Sequence, residues 1–114
     1  MSFKNSVMPI EAIGIDAATL GGAVYLPIND PGLSRVCNLV RINNKSSVDI
    51  YISWDGVTLH DYIPLGESLS YQFFNTRDVG MYTPGIKKGQ IFYALADAAG
   101  IGFIYVSGYY QEVA

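Results

Sequence analysis

The stretch from Ile42 to Gly56 constrains this chain more than any other. Asn43-Asn44-Lys45-Ser46-Ser47 reads as a polar turn, and an alternating segment follows it. There Val48, Ile50, Ile52 and Trp54 point one way, while Asp49, Tyr51, Ser53 and Asp55 point the other. A side-chain period of two, with faces of opposite character, marks a strand buried on one side. The pair Asp55-Gly56 then closes the strand with a strong short hairpin signal.

The same alternation recurs downstream. Val36 to Asn43 reads as a strand with Val36, Val40 and Ile42 on one face and Cys37 and Leu39 on the other. His60 to Pro64 is a short strand, and Ser68 to Phe74 another, with Leu69, Tyr71 and Phe73 inward. Val79 to Tyr82 and Ile91 to Leu95 follow. Phe103 to Tyr110 ends the series with Phe103, Tyr105 and Tyr109 one way and Ile104, Val106 and Tyr110 the other. A strand apolar on both faces belongs in the middle of a sheet or under a neighbouring subunit. Turn signals at Pro64-Leu65-Gly66-Glu67, Asn75 to Asp78, Thr83-Pro84-Gly85 and Asp97 to Gly100 separate these pieces. Six or seven short strands so spaced predict an all-β fold, an antiparallel β-sandwich, with jelly-roll and immunoglobulin-like orders both open.

Residues 1–34 differ from the rest. They hold Pro9, Pro27 and Pro31 with Gly14, Gly21, Gly22 and Gly32, and proline suits edge strands rather than central ones. We expect an extended N-terminal arm (1–34) with one or two edge strands and a single helical turn at Asp16 to Leu20, followed by a β-sandwich domain (35–114).

Composition narrows the function classes. Only 15% of residues are charged, against about 25% in a typical soluble domain. Such a chain exposes apolar or tyrosine-rich surface, which a partner usually covers. The net charge of −3 and scattered lysines argue against nucleic acid, which needs a basic stripe. Cys37 is the single cysteine, so no internal disulfide or zinc pattern exists, and it reads as a small buried hydrophobe. No apolar run is long enough to span a membrane, and no leader-like segment follows Met1, so synthesis in a cytoplasm is expected.

Asp55, His60, Asp61 and Glu67 form the densest polar group, but their spacing matches no catalytic or metal-ligating motif, and a solvated hairpin tip is the plainer reading. We expect no catalytic, cofactor-binding or metal-binding residues and no cofactor. Tyr105, Tyr109 and Tyr110, with Phe92 and Tyr93, make an aromatic set suited to a core, a subunit interface or a sugar platform. The candidate interface residues are Tyr105, Tyr109, Tyr110, Tyr25 and Pro27.

Asn43 to Ser53, Trp54-Asp55-Gly56-Val57 and His60-Asp61-Tyr62-Ile63-Pro64 resemble a group of small tailed-bacteriophage virion proteins. Lys88 to Tyr93 and Gly102 to Tyr110 extend the likeness over roughly the last two thirds of the chain. The resemblance implies a non-enzymatic virion structural protein. Its expected role is a multicopy capsid decoration (cement) protein bound to the major capsid protein, with a neck or tail component as the alternative and a glycan-binding module behind it. It implies other virion proteins or further copies of this chain as partners, with no nucleic acid or membrane.

The facing of the first strand is testable. Ile52→Ala is expected to cost about 2–5 kcal/mol in chemical denaturation, and Asp49→Ala under about 0.5. Equal losses would reverse the two faces.

Overall fold

Alternating burial along short strands builds two antiparallel sheets, described here for residues 6–72 and 85–112 of a computed structural model. The strands are β1 (Ser6–Pro9), β2 (Ile13–Asp16), β3 (Leu26–Pro27), β4 (Leu39–Ser46), β5 (Ile50–Ser53), β6 (Asp61–Ile63), β7 (Ser68–Gln72), β8 (Tyr93–Leu95) and β9 (Gly102–Glu112). In the first sheet β9 pairs with β4 on one side and with β1 and β2 in succession on the other, and β7 lies beyond β4. The second sheet has the order β3-β8-β5-β6. The pairing is nested: β5 with β6, β4 with β7, β3 with β8, and β2 with β9.

The expected sandwich is therefore present, and its core follows from parity. Val40 and Ile42 of β4, Ile104 and Val106 of β9, Ile50 and Ile52 of β5 and Ala94 of β8 are all buried between the sheets. Leu69 and Tyr71 of β7 also pack against this core from their alternate positions. Residues 6–34 supply the edge strands β1, β2 and β3. They also supply Ala17, Leu20, Ile28 and Leu33 to the core. The expected helical turn is a 3-10 turn over Ala17–Thr19, capped by Asp16, whose Oδ1 accepts from the Ala18 amide at 2.9 Å. Between the pairs Pro9–Tyr109 and Ile13–Val106, three residues of the N-terminal edge oppose two of β9, a β-bulge held by Ile10 N donating to Gly108 O at 2.9 Å.

Four expectations are corrected. Asn43 to Ser46 are not a turn but the second half of β4, and the chain turns only at Ser47 to Asp49. The regular strand before it starts at Leu39, so Val36 is 56% exposed while Cys37 is buried through an isolated bridge to Ile86. Asp55-Gly56 does not make a two-residue hairpin: a loop over 54–60 joins β5 to β6. The N-terminal stretch contributes three edge strands, β1, β2 and β3, where one or two were expected, while six follow among the described residues. The readings at Phe73-Phe74 and Val79 to Tyr82 lie outside the described residues.

The misread segment carries the main polar element of the core. Asn44 is fully buried. Its Nδ2 donates to Val48 O at 2.9 Å, Ile63 O at 3.1 Å and Pro64 O at 3.3 Å, so a β4 side chain reaches the end of β6 in the opposite sheet. Its Oδ1 accepts from the Ser46 amide at 3.1 Å and from the Ser46 hydroxyl. Asn29 acts similarly at the other end, donating to Gln90 O at 3.1 Å and accepting from Phe92 N at 2.8 Å. No buried side-chain nitrogen or oxygen among the described residues lacks a partner. Satisfaction of this kind is what lets polar groups sit inside a core without a large penalty.

Asp49 also has work the alternation did not show, since its Oδ1 accepts from Leu65 N at 3.0 Å. Its removal is therefore expected to cost about 1 kcal/mol, the ordinary worth of one such bond. Asn44→Ala is expected to lower stability by about 2–4 kcal/mol, because several buried carbonyls lose their donor together. Asn43→Ala, one residue away on the outer face, should cost under about 1 kcal/mol. Denaturant titrations of the two variants compare them directly, and equal losses would refute the role given to Asn44.

Candidate functional site

The outer face of the first sheet is built around β9. Its outward residues are Phe103, Tyr105, Ser107 and Tyr109, because Ile104 and Val106 take the inward positions. Phe103 and Tyr105 remain 43% and 38% exposed, with ring centroids 5.9 Å apart and planes 21° from parallel. Across β9, Phe103 is flanked by Asp16 of β2 and Lys45 of β4, and Tyr105 by Gly14 and Asn43. Gly14 is required there, since a Cβ would sit 2.6 Å from the Tyr105 ring, which lies over the glycine. Further along, Tyr109 is flanked by Pro9 and Leu39.

The predicted interface residues fall into separate places. Tyr105 and Tyr109 share the outer face just described. Tyr110 lies on the other side of β9, where the Arg35 guanidinium sits 4.6 Å from its ring centroid, a cation–π contact inside the chain. Pro27 is exposed on the edge strand β3, opposite Tyr93 of β8, and Tyr25 is half-buried just before it. Phe92 is buried in the core. A single sugar platform from Tyr105, Tyr109, Tyr110, Phe92 and Tyr93 is therefore excluded, because the rings lie in different sheets and on opposite faces.

The second sheet presents its own aromatic pair, Tyr51 and Tyr62, with centroids 5.5 Å apart. The Tyr51 hydroxyl donates to Asp97 at 3.3 Å, and the nearby Asp97 charge pushes its phenol pKa up. A hydrogen bond to Asp49 pushes Tyr62 up in the same way.

At the end of the sandwich where β4 runs into β5, three loops present large apolar side chains that the sequence reading passed over. Val24 is 58% exposed, Leu65 55% and Ile101 81%. Of these, Leu65 lines a shallow depression of about 250 Å³ together with Ser47, Val48, Asp49, Asp97 and Ala98. The available signal was an apolar residue placed inside a turn, as in Pro64-Leu65-Gly66 and Gly100-Ile101-Gly102.

The polar group around His60 is held by structural bonds. Asp55 Oδ1 accepts from Val57 N and Thr58 N, both at 2.8 Å, and from the Ser53 hydroxyl at 2.9 Å. Gly56 takes a φ of +84°, a conformation that suits glycine, while its amide donates to Ser53 Oγ at 2.9 Å. His60 Nδ1 accepts from Trp54 N at 3.0 Å, and Asp61 accepts from the hydroxyl of Tyr71. Tyr71 is raised well above its ordinary range, first by burial and then by Asp61. Trp54 packs edge-on against Phe92 and Tyr71, both at 4.9 Å, so it closes the core as its strand face implied. No group of three or more His, Cys, Asp or Glu side chains converges into a metal-binding set among the described residues.

Compared with protein-family models, curated proteins and solved structures, the chain matches none.

Backbone amides of Thr58 and Val57 hold the Asp55 carboxyl well below the usual carboxylate range. A depressed carboxylate binds its proton more weakly in the folded chain than in the unfolded one. Its contribution is therefore complete above the unfolded value and is lost as pH falls through the lower folded value. Carbon-detected NMR titration is expected to show Asp55 titrating below the ordinary aspartate range, with the Val57 and Thr58 amides shifting together with it. A midpoint near that of a free aspartate would refute the loop geometry.

Proposed function

We propose that this chain is a non-enzymatic structural subunit of a bacteriophage virion, most concretely a multicopy capsid decoration protein. In this reading it seats on junctions between major capsid subunits. The observation that carries it is the apolar rim of Val24, Leu65 and Ile101 at one end of the sandwich. Loop tips gain nothing from apolar side chains in water, and a low-charge chain with such a rim is suited to being covered by a neighbour.

The nested strand order supports the same reading. It follows the winding expected of a jelly roll, an architecture that viral capsid proteins share with lectins and cupins. The side chains around His60 and Asp55 are spent on loop bonds, which favours a binding role over catalysis. The work done would be mechanical. Each copy buries its rim at a seam of the shell, and many modest contacts add up along a continuous surface.

Immunogold labelling of purified phage particles with antibody to this chain tests the assignment. Regular labelling over the head is the expected result, and labelling confined to the neck or tail would move the protein there. Particles that carry none would overturn the virion reading. On empty shells of the same phage, Ile101→Asp is expected to weaken attachment of the added protein about tenfold or more.

A further inference from the structure

The outer face of the first sheet is complementary to itself, and we propose that it is the interface of a two-fold dimer of this chain. The proposal is independent of the virion assignment and uses a different surface from the apolar rim. Its basis is the order of side chains across β9. At the level of Phe103, Asp16 stands on one side and Lys45 on the other. They lie two strand spacings apart, roughly 9.5 Å, with Phe103 between them. Asp16 uses Oδ1 to cap the turn that follows it, and both residues are exposed.

A two-fold axis parallel to β9, lying between two stacked sheets, exchanges the strands to its left and right. Asp16 of one copy then faces Lys45 of the other, and the pairing occurs twice by symmetry. Phe103 and Tyr105 meet their own counterparts at the axis. Pro9 faces Leu39, an apolar contact flanking Tyr109. Gly14 lets the Tyr105 ring lie close to the sheet, leaving this part of the face low enough for another sheet to approach. An isologous interface requires this arrangement, in which each patch meets the complement it carries itself. Face-to-face sheets with nearly aligned strands pack in this way at about 10 Å separation.

Three strands of about eight residues give roughly 400 Å² of flat face per copy. An interface of that size is at the small end for specific association, so the dimer is expected to be weak and concentration-dependent.

Light scattering and sedimentation of the full chain test this from about 10 µM to about 1 mM. The expected result is a mass rising from monomer towards dimer. Lys45→Asp and Asp16→Lys should each weaken association about tenfold or more, because each places like charges opposite one another twice. The double exchange Asp16→Lys with Lys45→Asp restores the complement and should return association towards the original. Since Asp16 also caps a turn, Lys45→Asp and the double exchange decide the matter together. A monomer at every concentration would overturn the proposal. So would a dimer indifferent to Lys45→Asp, or a double exchange no better than the single variants.

Discussion

The carboxamide of Asn44 ties the two sheets together where the chain passes from one to the other. It projects inward from β4 and donates to the carbonyls of Val48, Ile63 and Pro64, which belong to the turn into β5 and to the end of β6. Backbone carbonyls facing a core must find donors, and here a single side chain serves the corner where three segments meet. The placement of the innermost hairpin, β5 with β6, against β4 depends on this. The arrangement also fixes the loop over 64–67, since the Asn44 backbone bonds to Gly66 and Glu67 while its side chain holds Pro64. Leu65, a member of the exposed apolar rim, is presented by that loop.

Much of the sandwich could be read in advance because parity is a local property. Ile50 and Ile52, Leu69 and Tyr71, and Ile104 and Val106 all face the interior as alternation requires. The central position of the last strand also followed from its apolar character on both faces. Asn43 to Ser46 failed for a physical reason: polar residues in a row resemble a turn, and the carbonyls that satisfy Asn44 lie up to twenty positions away. Val36 failed because the chain bends before β4, which resets the parity, while Cys37 is buried as expected.

The candidate surfaces were less legible than the fold. The sequence placed Tyr105 and Tyr109 on one face and Tyr110 on the other, as found, but it could not tell that Phe92 lies in the core and Tyr93 in the second sheet. Grouping residues by chemical type joins side chains that topology separates. The placement of Asp16 and Lys45 on either side of Phe103 was beyond reach for a related reason. It depends on register between strands far apart in the chain, which no local pattern carries.

The bulge on the N-terminal edge bears on how copies of this protein can grow into larger bodies. An edge strand with an even run of free amides and carbonyls invites another chain to pair along it, and repeated pairing leads to fibres. Three residues set against two break that run between Pro9 and Ile13 and twist the edge away from regular pairing. Proline at position 9 removes a further donor. With lateral addition discouraged on this side, only the broad faces and loop ends are left open to the contacts proposed above, which close upon themselves instead of propagating.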